Sequence, residues 1–408
     1  MMQRKAQATL LRLAQGFPVV AITGPRQSGK TTLAKATFPD KPYLSLEDPD
    51  IRAIAEADPR HLLANYPVGA ILDEVQRAPH LFSYLQTLVD ADLHPGMFVL
   101  IGSQQFGLLS GISHSLEGRL GLVQLLPFSV GELSCVSMLT GNLDDLLYQG
   151  CYPQLYDRSL SPGDWFAGYV DTYVERDVRQ LINVRDLSIF QRFLKMCAAR
   201  SGQLLNLSSL ASDCGITHNT ASAWISVLEA SYIIHLLRPH YRNFNKRMVK
   251  APKLYFCDVG LAAWLLGIRK AEDVAFHAQR ASLFETLIVT EFLKYCWNEG
   301  VPSNLFFWRD SKGLEVDLLV ERGDSLMPIE IKSGATIASD FMDNLKKWST
   351  LAGNLEQPVW LIYGGDRQFV IGSTQIIPWS QLDQLVEKGY LGHKKGNQKT
   401  THYNQFSS

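Results

Sequence analysis

Short apolar runs and longer amphipathic stretches alternate along the first third of the chain. Residues 18–23, 42–46, 68–74, 97–103 and 120–126 each read as a strand. Helical spacing separates most of them, as in Leu81, Leu85 and Leu88. This alternation predicts a parallel sheet covered by helices on both faces. Ahead of it, Leu10, Leu11 and Leu13 mark an amphipathic first helix. Residues 140–200 are helix-rich, with a break at Gly150-Cys151-Tyr152-Pro153. Leu207, Leu210 and Ala211 then suggest a short helix, Gly215 a turn, and Thr217 the cap of a second helix. That second helix has Ala221, Trp224, Ile225 and Leu228 on its inner face, and strands at 232–237 and 253–257 follow. Helix, turn, helix and strand pair together read as a winged helix. A last amphipathic helix spans 281–297, with Leu283, Phe284, Ile288, Phe292 and Leu293 on one face. Strands at 314–320 and 327–332 come after it, joined through Arg322-Gly323-Asp324.

At 408 residues the chain is too long for one hydrophobic core. The pattern divides it into an α/β domain over 1–138, a helical connector or lid over 139–203, a winged helix over 204–272 and a last α/β domain over 273–388. Residues 389–408 are polar and basic and are expected to be disordered. Composition adds little: 46% hydrophobic, 19% charged and a net charge of −1 describe an ordinary globular protein with no global basic signal. The six cysteines form no C-x-x-C and read as reduced thiols of a cytoplasmic protein. No apolar run approaches the ~20 residues of a membrane span.

Chemistry enters at the first strand. Gly24-Pro25-Arg26-Gln27-Ser28-Gly29-Lys30-Thr31 matches G-x-x-x-x-G-K-[ST], with a strand before it and a helix after it. Gly24 and Gly29 let the backbone curl so that N–H groups face phosphate oxygens, and the following helix adds its positive end. Lys30 would reach the β- and γ-phosphates of ATP, and Thr31, next to Thr32, would offer its hydroxyl to Mg2+. The third strand ends in Asp73-Glu74 and the fourth in Ser103. Ligands of parallel sheets sit at such strand ends. Asp73 is therefore expected to hold Mg2+ with Thr31, Glu74 to act as general base on water, and Ser103 to sense the γ-phosphate or the water. Arg119, just before the fifth strand, is either an arginine finger in cis or across a subunit interface, or a plain surface residue.

These stretches, with Leu72-Asp73-Glu74-Val75-Gln76-Arg77-Ala78-Pro79 and Leu126-Pro127-Phe128-Ser129, resemble a prokaryotic family of AAA-type ATPases. In that family a C-terminal region of unknown function follows, related to PD-(D/E)xK nucleases. The resemblance continues at Tyr173-Val174-Glu175-Arg176-Asp177, at Lys253-Leu254-Tyr255-Phe256-Cys257-Asp258-Val259-Gly260-Leu261 and over 306–334. It implies ATP binding and hydrolysis and a homo-oligomer as one option. The expected fold class is thus α/β: an AAA-type P-loop domain, a helical and winged-helix connector, and a PD-(D/E)xK-like α/β domain.

DNA is the candidate second partner. The outer face of the second helix (His218, Asn219, Ser222, Ser226, Glu229) carries no arginine or lysine and reads bases poorly. The wing over 238–253 differs, with Arg238, Arg242, Lys246, Arg247, Lys250 and Lys253 interleaved with Tyr241 and Phe244. It fits contact with phosphates, and equally a solvated hairpin or a docking surface for another domain. In the last domain, Glu330 and Lys332 share one face of a strand and Asp317 can meet them from its neighbour. With helical Glu285, which lies on the apolar side and needs a partner or a metal, they form the PD-(D/E)xK pattern. Asp317, Glu330 and Glu285 would bind Mg2+, and Lys332 would position water. The residue before Asp317 is Val316, where the pattern has proline. An active nuclease and a nuclease-derived scaffold for DNA or a protein partner both remain open.

Overall fold

The computed structural model describes residues 2–91, 93–103, 116–139, 141–158, 160–174, 186–241, 248–353 and 358–387. Strands β1 (Val19–Thr23), β2 (Tyr43–Ser45), β3 (Ile71–Asp73), β4 (Phe98–Gly102) and β5 (Leu120–Gln124) form one parallel sheet in the order β2-β3-β4-β1-β5. Alternation along β1 shows why both faces are covered. Val19 and Ala21 pack with Leu72, Leu100 and Phe82 on one side. Val20 and Ile22 pack with Ala6, Leu10 and Leu33 on the other, under the helices Ala6–Ala14 and Lys30–Thr37. The third strand is shorter than its apolar run. Gly69 turns the chain with φ +84, and a Cβ there would lie 1.7 Å from the Met97 carbonyl oxygen, so the ladder starts only at Ile71.

The middle of the chain supplies a second, antiparallel sheet: β6 (Gln203–Leu204), β7 (Ile234–Leu237) and β8 (Lys253–Phe256), in the order β6-β8-β7. The helices Leu207–Cys214 and His218–Ala230 precede β7, joined through Gly215 at φ +69 and capped by Thr217. Ala221, Trp224, Ile225 and Leu228 are buried on the inner face of the second helix. The chain between β7 and β8 does not stand free where it is described. Its ends hydrogen-bond along β9 (Leu305–Arg309): His240 N–H donates to the Phe307 carbonyl at 2.7 Å and Val249 N–H to that of Arg309 at 3.2 Å. They cover what would otherwise be an open sheet edge. Arg242, Phe244, Lys246 and Arg247 lie outside the described residues, as do Glu175-Arg176-Asp177 and the expected tail.

The last sheet comprises β9, β10 (Glu315–Arg322), β11 (Ser325–Lys332), β12 (Val359–Tyr363), β13 (Phe369–Ile371) and β14 (Thr374–Pro378). Its order is β13-β14-β12-β11-β10-β9, with β11, β12 and β14 parallel and the rest antiparallel. The helix Arg280–Asn298 packs on one face, and Leu345 and Trp348 of the helix Asp343–Ala352 pack on the other. One apolar cluster runs from Leu126 through the middle region to Leu385. The boundaries expected at 203/204 and 272/273 therefore do not separate independent cores.

Candidate functional site

Two backbone features shape the loop after β1. A Cβ on Gly24 would lie 2.1 Å from the Leu125 carbonyl oxygen, so only glycine lets the loop leave the sheet beside β5. Gln27 adopts φ +62 and Gly29 φ +92, the left-handed turns that aim successive N–H groups into one concavity. Gly29 is also the N-cap of the helix Lys30–Thr37 and gives it no side-chain cap, leaving the positive helix end to a ligand. The Ser28 hydroxyl is buried without a hydrogen-bond partner. Lys30, only 6% exposed, donates to the carbonyls of Gly24 at 3.1 Å and Pro25 at 2.7 Å. Arg26, Gln27, Thr31, Thr32 and Asp73 line the same cleft of about 430 Å³.

The neighbouring strand ends converge on the loop. Thr31 Oγ1 donates to Asp73 Oδ2 at 2.6 Å, and Tyr43 Oη donates to the same oxygen at 2.8 Å. Partial burial of its hydroxyl end, reinforced by the Asp73 charge, pushes the Tyr43 phenol well above its ordinary range, although the residue as a whole is exposed. Glu74 takes φ +54, which turns its carboxylate off β3 and into the cleft. Ser103, at the end of β4, donates to Glu74 Oε2 at 3.0 Å, and Gln76 Nε2 donates to the same oxygen. The strand order produces this contact: β4 lies between β1 and β3, so its end sits between Lys30 and Glu74. Thr31 and Asp73 are hard oxygen donors 2.6 Å apart, a donor set that fits Mg2+.

Arg119 requires correction as a nucleotide-binding residue in cis. It precedes β5 at the end of the sheet where Leu120 pairs with Val19, whereas the loop follows Thr23, which pairs with Gln124. About 15 Å of strand separates the two positions. Arg119 instead forms a bidentate ion pair with Asp90 and donates to the Glu117 carbonyl.

Three residues around the loop make long-range contacts that no local sequence pattern reports. Arg4 is 7% exposed and holds the loop from behind, donating to the Ser28 and Leu126 carbonyls at 2.7 Å each and to Glu132 at 3.1 Å. Asp258 accepts from Cys151 N–H at 2.8 Å and from Leu261 N–H at 3.0 Å. It thereby fixes the Gly150–Pro153 break, whose Pro153 borders the cleft beside Gly29. Tyr232 reaches the last residue of β1, with Thr23 Oγ1 and Tyr232 Oη 2.8 Å apart and both residues buried.

The second polar group lies on the last sheet. Continuing the β10–β11 register one step beyond Leu318 and Ile329 sets Asp317 opposite Glu330. Lys332 Nζ is 2.6 Å from Glu330 Oε1 and 3.8 Å from Asp317 Oδ2, which also accepts from Ile331 N–H at 2.8 Å. Glu330 is 2% exposed and its Oε2 has no hydrogen-bond partner. Burial, then the Asp317 charge, pushes its pKa up to about 8 against the opposing pull of Lys332. The open oxygen of Glu330 and the Asp317 carboxylate suit a hard cation.

Glu285 departs from the expectation of a metal ligand. Its Oε1 accepts from Lys253 Nζ at 2.8 Å and from Tyr255 Oη at 2.6 Å. Among the described residues no three carboxylate, histidine or cysteine groups form a ready metal cage. Lys253 is corrected for the same reason: it is not a phosphate-contacting wing residue, because its side chain is 3% exposed and bridges Glu285 and Glu315. Arg238 and Lys250 are exposed.

Residues 16–134 match a family model described as an AAA domain. Residues 140–272 match a domain of unknown function (DUF8612), and residues 280–382 match another (DUF4143). Two curated relatives, uncharacterized proteins of Mycobacterium tuberculosis (strain H37Rv) and Mycobacterium bovis, are each 28% identical over 394 residues, covering 94% of this chain and 86% of theirs. Among solved structures, a Walker-type ATPase of Pyrococcus abyssi is similar at 13% identity and TM-score 0.44, over 65% of this chain and 96% of that one. AMPPCP-bound DnaA from Aquifex aeolicus is similar at 16% identity and TM-score 0.28, over 55% of this chain and 85% of that one. Among the described residues no helix is long and apolar enough to cross a membrane. The loop, the parallel sheet and the AAA-domain match together make the first domain a P-loop ATPase-like domain of AAA type.

Proposed function

We propose that the chain binds and hydrolyses ATP with Mg2+ at the Gly24–Thr32 cleft, and that its nucleotide state controls a DNA-directed, nuclease-like C-terminal domain. One observation carries the first half: Thr31 bonded to Asp73 at 2.6 Å beside Ser103 bonded to Glu74 at 3.0 Å. The first pair would hold Mg2+, which neutralises phosphate charge when bound. Glu74 would take the proton of the attacking water, with Ser103 fixing its orientation. Lys30 would exchange the Gly24 and Pro25 carbonyls for phosphate oxygens. The purified chain should release phosphate from ATP, and Lys30→Ala should release none; equal turnover in both would overturn the reading.

The second half is supported by the helix Arg280–Asn298, which carries Glu285 beside the C-terminal polar group and contacts residues that flank the phosphate loop. Near one end it carries Glu285. Further along, Glu291 accepts from Val130 N–H and Lys294 donates to the Phe128 carbonyl, each at 2.8 Å. Near its other end Trp297 packs edge-on against Tyr232 at 5.7 Å. Asp317 and Glu330 would supply metal oxygens and Lys332 would position water on a scissile phosphate. Magnesium-dependent cutting of plasmid DNA that disappears in Lys332→Ala is the corresponding test. DNA would meet the exposed Arg238 and Lys250 together with Arg242, Lys246 and Arg247, and each phosphate contact would add about −0.9 to the salt slope of binding. Arg119 would serve ATP only at the site of a neighbouring copy in a homo-oligomer. The free thiols fit a cytoplasmic location.

A second reading, an ATP-dependent switch that binds a protein partner and cuts nothing, is favoured by the Lys253 ammonium lying among the carboxylates. If the wild type cuts no nucleic acid in any nucleotide state, that reading takes over.

A further inference from the structure

Strand β8 belongs to the middle sheet, yet two of its side chains complete the polar group of the last one. Lys253 and Tyr255 are two residues apart and share a strand face. Lys253 Nζ lies 2.8 Å from Glu285 Oε1 and 2.5 Å from Glu315 Oε1, and Tyr255 Oη donates to Glu285 at 2.6 Å. Glu315 is also paired at its other oxygen with Arg309, at 3.0 Å. One half of the cluster is therefore fully compensated within the chain. The other half is less so: Lys332 is shared between Glu330 at 2.6 Å and Asp317 at 3.8 Å, and Glu330 keeps a buried oxygen without a hydrogen-bond partner among the described residues. Burying a carboxylate in this way is costly unless it takes up a proton or a cation completes it.

We propose that Lys253 is a resident cation standing where a second divalent ion would otherwise be required, so that the C-terminal site takes a single Mg2+ or Mn2+, on Asp317 and Glu330. The inference rests on the metal-binding reading given above for those two residues. It makes the site a composite of two regions of the chain: β8 supplies a fixed positive charge, and the last sheet supplies the ligands of the exchangeable one. Glu285, engaged by Lys253 and Tyr255, positions that charge and does not ligate the ion. Removing the ammonium frees Glu285 and Glu315 to bind a second ion in its place.

Counting bound Mn2+ on the full chain by electron paramagnetic resonance tests this. Glu330→Gln sets the blank, since the phosphate-loop cleft contributes equally to every variant. The wild type should bind one ion more than Glu330→Gln, Lys253→Met one ion more than the wild type, and Lys253→Arg the same number as the wild type. If Lys253→Met folds poorly alone, its melting temperature should recover in millimolar Mn2+, and the double variant Lys253→Met, Glu285→Gln should gain less from Mn2+. A Lys253→Met count or Mn2+ response equal to that of the wild type overturns the role of Lys253 alone. A wild-type count equal to that of Glu330→Gln overturns the metal-binding reading as well.

Discussion

Thr23 and Tyr232 share a buried hydrogen bond of 2.8 Å, although 209 residues of chain separate them. Thr23 ends β1 and is followed directly by Gly24 of the phosphate loop. Tyr232 sits just beyond the helix His218–Ala230, at φ +57, a backbone region that bulky residues rarely adopt. Its ring also packs on Trp297 of the long helix. A movement of the loop thus has a direct mechanical route to the helix that carries Glu285.

Tyr232→Phe keeps the ring and removes only the hydroxyl. It should cost about 1 kcal/mol of stability. It should also weaken the change in amide exchange that nucleotide causes along Arg280–Asn298. Exchange in that helix that responds to nucleotide equally in wild type and variant would exclude this route.

Arg4 and Glu132 form a buried pair behind the loop, at 3.1 Å. Burial pushes the Glu132 carboxyl up, but Arg4 and the N–H groups of Ser129 and Lys5 outweigh it and hold the pKa below its ordinary value. Arg4→Met leaves that carboxylate unpaired and releases the Ser28 carbonyl. A loss of about 3–5 kcal/mol is expected, read by denaturant unfolding, together with weaker nucleotide binding. Because the Glu132 pKa is depressed on folding, its stabilisation is present above pH 4.5 and is lost as pH falls below that value.

His235 provides the opposite kind of titration, that of a base. Packing of its half-buried ring, helped by the Arg238 charge, lowers its pKa to about 4 from 6.5. Unfolded chains then bind more protons than folded ones between these values, so stability is full above pH 6.5 and declines as pH falls towards 4. His235→Gln should lose less melting temperature than the wild type between pH 7 and pH 5. Equal losses would show that His235 does not contribute to acid sensitivity.

The parts of the candidate site that are legible in the sequence are those carried by contiguous motifs at strand ends. Lys30, Thr31, Asp73, Glu74 and Ser103 are positioned by the sheet itself, so naming the strands located them. The strand Lys253 to Cys257 was also legible, but the destination of its lysine was not. A basic residue in a basic run reads as solvated, and only the docking of β8 beside Glu285 and Glu315 buries it. Arg4, Tyr232 and Asp258 act across more than a hundred residues of sequence, where no local pattern reports a contact. Arg119 was misplaced because proximity to a strand does not say which end of the sheet it occupies, and in a parallel sheet only one end meets the loop.

In the proposed mechanism Glu74 acts on water and not on nucleotide affinity. Phosphate release and binding of a fluorescent ATP analogue, measured together on Glu74→Gln, test it most directly. Affinity should stay within about threefold of the wild type while turnover falls by roughly a hundredfold or more, as expected for loss of a general base. Turnover that persists, or affinity that collapses along with it, would contradict the assignment.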